Sequence, residues 1–297
     1  PLQSKELLKK MEDTCQERYN VSFPCQRPEC KAAGSNNSSE NRAFANILDR
    51  YGIDYEKEFR IKRFSFDFKI GNILIDIDPT ATHNTMWNPY RGEGIKETYH
   101  KEKSEVGERE GYQVIHIFDW DDKDKLARSL LLRDSVYARK TELGEVLRVE
   151  TDSFLNEYHL QNSCKGQDIR LGLYLNDELI SIMTFGKPRY NKNYEYELIR
   201  YCSSKNVIGG AEKLFKYFLR EYNPNSIISY CDRSKFRGDV YKKLGFILLH
   251  EGKPSKHWCD VRSGRHITDN LLRQRGYDQI FGTNYGKGTS NEELIIK

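Results

Sequence analysis

A short hairpin near position 70 constrains this chain more than any other feature. Residues 65–70 alternate in the manner of a half-buried strand, Gly71-Asn72 is a two-residue turn signal, and Ile73-Leu74-Ile75-Asp76-Ile77-Asp78 follows as a partner strand. Side chains alternate faces along a strand, so Asp76 and Asp78 point the same way. Counting outward from the turn pairs Ile70 with Ile73, and hence Asp67 with Asp76. Neighbours paired in this way lie about 5 Å apart on one face. Carboxylates so crowded are costly unless a cation neutralises them or they titrate upward. A hard divalent cation, Mg²⁺ or Mn²⁺, held by Asp67, Asp76 and Asp78 is the expected solution. The alternative is a solvated antiparallel face whose carboxylates point into water. Against it stand the apolar run around Asp76 and Asp78 and the loop just beyond, which delivers His83.

The segments flanking the hairpin complete a compact α/β unit. A helix over about 40–51 carries Phe44, Ile47 and Leu48 on one face and ends at Gly52; Ser39, the last residue of a polar linker, can cap it. A strand over 55–61 precedes the hairpin. A turn-rich loop spans 79–94, a charged helix covers about 95–110, and 112–118 reads as a buried strand. Residues 1–34 read as a small basic module and linker with an amphipathic helix over 4–11, and 35–122 as the first α/β domain. Residues 123–152 read as a largely helical connector, and 153–297 as a second α/β domain. In that domain strands are expected over 169–175 and 178–185, around an Asn176-Asp177 turn, and over 194–202, 226–230 and 246–251. Helices are expected over 210–222 and 240–244.

With 297 residues, either domain can bury a core, and 19 Tyr and 14 Phe supply much of the burial that a hydrophobic share of only 37% would otherwise lack. The net charge of +4 suits a nucleic-acid binder only if the basic residues cluster; a mixed solvated surface gives the same total. Seven Cys at scattered spacings argue against a disulfide framework and for a reducing compartment. No apolar run long enough to span a membrane and no signal-peptide core occur, so a cytoplasmic protein is expected. The chain begins at Pro1 rather than Met, as a processed protein or a fragment would.

His83, in Thr80-Ala81-Thr82-His83-Asn84, can deprotonate a water or protonate a leaving group, or it is a bystander in a polar loop. His100 and Lys103, one turn apart, can both face the carboxylates, with Lys103 stabilising developing charge; equally they can be exposed helix residues. Glu40 opening a helix, Asp67-Phe68, the Gly71-Asn72 turn, Ile-Asp-Ile-Asp, His83, Tyr99-His100-Lys101-Glu102-Lys103 and the segment 110–120 resemble, in order and spacing, the very-short-patch-repair branch of the PD-(D/E)xK nucleases. Within it the chain is most similar to phage homing endonucleases of the EDxHD type, over about residues 35–122. The resemblance implies a restriction-endonuclease-like fold and a Mg²⁺-dependent deoxyribonuclease acting on double-stranded DNA in a bacterial host cell. It implies Asp67 as the central metal-binding carboxylate, Asp76 as the second metal contact, Glu40 as the helix carboxylate, and His83 as the residue managing the water or the leaving oxygen. Where many relatives have Lys two residues after the second acid, this chain has Asp78. The charge-stabilising role then falls to His83, Lys103 or a second metal.

The flanks invite further expectations. Lys9, Lys10, Arg18, Arg27 and Lys31 can contact phosphates. Cys15, Cys25 and Cys30 lack a fourth zinc ligand and read as small thiols. Residues 153–297 resemble an acetyltransferase-like (GNAT) fold, with Asn206-Val207-Ile208-Gly209-Gly210-Ala211 placed where the family cradles a pyrophosphate; Asn206 departs from the family's Gln or Arg. Arg233, Lys235, Arg237 and Lys256, with aromatics interleaved, suit a nucleic-acid surface, or the aromatics belong to the core. Three functions follow: a metal-dependent DNA endonuclease of homing type, an acyltransferase acting on DNA or protein, and a DNA-binding protein without chemistry.

Overall fold

The computed structural model describes residues 5–19, 38–86, 93–131, 135–259 and 265–276. The protein is mixed α/β and is organised around two sheets. Helix α1 (Lys5–Tyr19) runs well past the expected 4–11 and buries Cys15. Arg27, Lys31, Cys25 and Cys30 lie outside the described residues.

The first sheet has the order β1-β2-β3-β4, from β1 (Glu56–Ile61), β2 (Phe64–Ile70), β3 (Ile73–Asp78) and β4 (Gln113–Phe118). Successive short turns make β1, β2 and β3 antiparallel, whereas β4 runs parallel to β3. A parallel neighbour requires a crossover, and helix α3 (Tyr99–Arg109) lies within it. Helix α2 (Ser39–Arg50) is capped by Ser38, whose hydroxyl accepts from Asn41 N; the cap is one residue earlier than expected. Its Phe44 and Leu48 pack with Phe68, Ile75, Ile77, Ile115, Ile117 and Leu126 on one face of the sheet. Phe64, Phe66, Leu74 and Val114 form the core of the other face, with Tyr99 and Val106 of α3 against them.

The second sheet has the order β11-β9-β8-β7-β6, built from β6 (Glu142–Glu145), β7 (Ile169–Leu175), β8 (Glu178–Gly186), β9 (Tyr196–Ser203) and β11 (Ile227–Ser229). Asn176 and Asp177 take positive φ in the expected turn between β7 and β8. Helix α6 (Gly210–Tyr222) lays Leu214, Phe215 and Phe218 on Leu171, Leu173 and Phe185. The connector holds α4 (Lys123–Leu130), a 3-10 turn and the start of α5 (Arg148–Tyr158), and between the helices it also carries β5 (Ser135–Tyr137) and β6, which gives the second sheet an edge strand. One expectation fails here. Residues 246–251 form no strand; Ile247, Leu248 and Leu249 are exposed, with no sheet partner to hold them extended. Two short pairings lacked a sequence signal. Strand β10 (Asn206–Ile208) pairs in parallel with β5, and β12 (His257–Cys259) pairs with β13 (His266–Thr268). Helices α7 (Asp239–Lys243) and α8 (Asp269–Arg275) complete the described chain. Among the described residues no helix is long and apolar enough to cross a membrane.

Candidate metal centre

Strand periodicity sorts β3 into two faces. Ile75 and Ile77 enter the core under α2, which leaves Leu74, Asp76 and Asp78 on the side covered by α3. The parallel ladder sets Asp76 level with His116 and Asp78 level with Phe118 on β4. Val114 and His116 share the face of Asp76 and Asp78, because Ile115 and Ile117 are used by the opposite core. Helix α3 brings a single stripe over this floor: His100, Lys103, Ser104 and Gly107, spaced as one helical face. The helix comes this close because position 107 lacks a side chain; a Cβ there would stand 2.4 Å from Val114 Cγ2. His83 arrives from the loop after β3, where Thr82 and His83 N–H both bond Pro79 O at 3.0 and 2.9 Å.

Asp78 lies at the centre and is fully buried. Its Oδ1 is 2.8 Å from His83 Nδ1, and its Oδ2 is 2.7 Å from His116 Nδ1 and 3.4 Å from His100 Nδ1. Only the His116 contact has the alignment of a hydrogen bond. Asp76, also buried, has Oδ2 2.5 Å from the buried Lys103 ammonium and 3.7 Å from His116 Nδ1. Four buried atoms in this cluster make no aligned hydrogen bond: Asp76 Oδ2, Asp78 Oδ1, His83 Nδ1 and His100 Nδ1. One donor atom from each of Asp76, Asp78, His100 and His116 lies within 4.8 Å of the others. That is the spacing at which a single cation can be shared, and two carboxylates with two imidazoles are a chemically sensible donor set for one.

The electrostatics lead to the same need. Burial, and then the neighbouring Asp78, raise Asp76 well above the usual carboxylate range, even with Lys103 beside it. Burial would also push Asp78 up, but His116, His100 and His83 outweigh it and hold that carboxyl well below the usual range. Burial lowers His116, which favours its neutral ring, despite the pull of Asp78. Lys103 is raised, because Asp76 outweighs the burial that would neutralise it. Asp67, Asp76 and Asp78 against the one ammonium of Lys103 leave two negative charges to be balanced by protons or by a divalent ion.

Of the residues expected at the site, Asp76, Asp78, His83, His100 and Lys103 meet. Asp67 does not take the place foreseen for it. The β2–β3 ladder runs from Ile70↔Ile73 to Phe68↔Ile75 without an Asp67↔Asp76 pair. Between Phe66 and Phe68 the strand changes the face it presents, since those two rings enter opposite cores. Asp67 instead turns along the sheet, accepting from Ile77 N at 2.7 Å and from Asn41 Nδ2 at 2.9 Å. Both its oxygens are thereby engaged in tying β2, β3 and α2 together, and burial raises its pKa. Glu40 sits at the start of α2 paired with Lys123, apart from the four-residue cluster. His116 and Ser104 are the residues that the sequence reading missed. Ser104 Oγ is 2.9 Å from His116 Nε2. A lone His interrupting the apolar run of β4 was the available signal; its register beside Asp76 was not.

The expected DNA contacts divide. Lys9, Lys10 and Arg18 are exposed on α1. Lys256 is exposed and paired with Glu97 at 2.9 Å, and Arg237 is half-buried. Arg233 is exposed but holds Glu108 of α3 through contacts of 3.1 and 2.9 Å. Lys235 is corrected outright: it is buried, donating to His116 O and to Asp121 Oδ2, and no phosphate can reach it there. A file of rings leads from His83 through His100, Phe118 and Trp120 to His257, with the last two stacked at 4.1 Å. The chain matches no protein-family model, and no curated protein matches its sequence.

Proposed function

We propose that the protein is a metal-dependent deoxyribonuclease that hydrolyses phosphodiester bonds of double-stranded DNA at the cluster around Asp76 and Asp78. One observation carries this reading: two buried carboxylates with oxygens lacking aligned partners meet three imidazoles and a buried ammonium on one sheet face. The reading is supported by the element order, a helix, three antiparallel strands, a helix and a parallel strand, which brings α3 over the face of Asp76 and Asp78. A bound cation would supply Lewis-acid stabilisation of charge on a phosphate. Asp76, Asp78, His100 and His116 would hold it. His83 and His100 retain roughly a fifth of their side-chain surface, at 22% and 23%, so they form the lip that a substrate reaches; His83, outside the set that would hold the cation, can move its protons. Lys103, beside Asp76, would stabilise developing negative charge, the role that the wider superfamily gives to a lysine two residues after the second acid. Asp67 is a positioning residue through Ile77 N. The exposed basic side chains of α1 and Lys256 are the candidate phosphate contacts.

The acyltransferase reading has less support. In the segment 206–211, where a pyrophosphate would be cradled, residues 206–208 are paired with β5, and Lys213 reaches Ala138 O at 2.9 Å and Thr141 O at 2.5 Å across the same end of α6. Incubating the untagged protein with supercoiled plasmid and a series of divalent ions tests the proposal. Asp78→Asn is expected to abolish cutting, and Lys103→Met to slow it by about 10²–10³-fold, as loss of one charge stabiliser does elsewhere. Undiminished cutting by folded Asp78→Asn would refute the assignment.

A further inference from the structure

We infer that this centre is selective for an imidazole-preferring transition ion of the Zn²⁺, Co²⁺ and Ni²⁺ kind over Mg²⁺, with His100 and His116 as nitrogen ligands beside Asp76 and Asp78. The inference rests on the metal-dependent reading above and narrows it. Mg²⁺ takes oxygen ligands in near-octahedral geometry and keeps several waters. The oxygen supply here is short: in the set whose donor atoms all lie within 4.8 Å of one another, only Asp76 and Asp78 bring oxygen. The donor atoms that do converge are half nitrogen, and His83 Nδ1 adds a third imidazole 2.8 Å from Asp78 Oδ1. Imidazole suits Zn²⁺ and Ni²⁺, while an all-oxygen set suits Mg²⁺.

Ser104 is the device that lets His116 serve. A neutral imidazole carries one proton. Placed on Nδ1 it donates to Asp78, and Ser104 Oγ–H donates to Nε2; placed on Nε2 it donates to Ser104 Oγ and turns the Nδ1 lone pair toward the carboxylates. A hydroxyl can accept or donate, so the serine accommodates either tautomer. In the second state lone pairs on His116 Nδ1, Asp78 and Asp76 face one another, and only a cation between them makes that favourable. A ligating histidine held through its other ring nitrogen is the usual outer-shell arrangement around such ions.

Calorimetric titration of the untagged, chelator-treated full chain with Co²⁺, Zn²⁺ and Mg²⁺, together with the visible absorption of the Co²⁺ form, tests the inference. Co²⁺ and Zn²⁺ are expected to bind at least about 100-fold tighter than Mg²⁺. His100→Gln is expected to weaken Co²⁺ binding and alter its spectrum. Ser104→Ala, a milder change that keeps every ligand, is expected to weaken Co²⁺ about 10–100-fold. Equal affinity for Mg²⁺, no binding at all, or Co²⁺ spectra indifferent to both substitutions would overturn it. The two readings fail separately. Cutting with Mg²⁺ alone by a protein that ignores Co²⁺ sinks this inference and spares the nuclease. The expected ion hierarchy without cutting by any ion does the reverse.

Discussion

Lys103 shows how much a single side chain decides in this cluster. Its ammonium is buried against Asp76 and lies 5.0 Å from the Phe66 ring, so its stem and its charge are both enclosed. Removing it leaves buried carboxylates without their one permanent counter-charge. Breaking such a pair commonly costs about 3–5 kcal/mol. Lys103→Met is therefore expected to lower stability to urea by about 3 kcal/mol, with part of the loss restored by a saturating divalent ion that binds only the folded state. Unchanged stability would mean that the ammonium is not needed as a counter-charge. A second residue gives the molecule an acid limit. His159 is half-buried, its Nδ1 accepts from Gln161 N at 3.0 Å, and burial, followed by Arg200 and Lys125, holds its pKa at about 3 against an ordinary 6.5. A depressed histidine is neutral when folded and charged when unfolded, so the stability it contributes is present above 6.5 and lost as pH falls toward 3. Between pH 6.5 and 5 the loss is expected to be about 1.6 kcal/mol. His159→Gln should flatten that part of the urea-midpoint profile. Asp76, Asp78 and His83 could be read from the sequence because each carries its signal locally; His116 could not, since its meaning depends on a strand forty residues away in the chain.

At the scale of elements, the approach of α3 to the sheet determines whether the stripe His100, Lys103, Ser104 touches the carboxylates at all. Gly107 permits it. Gly107→Ala places a Cβ 2.4 Å from Val114 Cγ2 and must lift the helix or displace β4. Overpacking of this kind costs about 1–3 kcal/mol. The expected outcome is a folded protein whose Tm falls and whose Co²⁺ affinity falls further than the stability change accounts for, checked by calorimetry at a temperature well below unfolding. An affinity equal to wild type would show that the helix has slack. The loop carrying His83 is pinned similarly: the backbone at Gly94 crosses Thr85 so closely that a Cβ would meet its carbonyl at 2.2–2.3 Å, and Ile95 N bonds Asn84 O at 2.9 Å. The hairpin register near its turn agreed with the expectation, because a two-residue turn fixes Ile70 against Ile73. It departed at Asp67, where an acid that bonds the neighbouring backbone interrupts the ladder, and pattern alone does not reveal that.

On the scale of the whole molecule, the two sheets are joined directly behind the metal centre. Strand β4 is the edge of its sheet, and open edges are usually covered. Here the cover comes from residues 232–236 beyond the second sheet. His116 N donates to Ser234 O at 2.9 Å, Gln113 Nε2 donates to Lys235 O at 2.8 Å, and Lys235 Nζ bonds His116 O and, at 2.6 Å, Asp121 Oδ2. Arg233 adds its pairing with Glu108 on α3. Backbone and side chain of His116 are thus held from opposite directions. Lys235→Met is expected to destabilise by about 3 kcal/mol, as breaking a buried pair does. It should also speed amide exchange at His116 more than at Leu74, which lies in the sheet interior. Equal acceleration at both would indicate a merely global effect. A residue expected to grip DNA is, in the folded chain, a bolt between the halves.

The amino-acid sequence by itself determined the long strands of the two sheets, the Gly71-Asn72 and Asn176-Asp177 turns, and that Asp76 and Asp78 share a face, because alternation and turn chemistry act over a few neighbouring positions. It determined that Asp76 and Asp78 crowd one another. The tertiary structure alone decided that His116 joins them, that Asp67 bonds Asn41 and Ile77 N beside them, that Ser104 supports His116 and that Lys235 locks the edge next to them. Each of these depends on a register or a docking between segments far apart in the chain, where the choice is made by burial and by pairing of buried polar groups rather than by local preference.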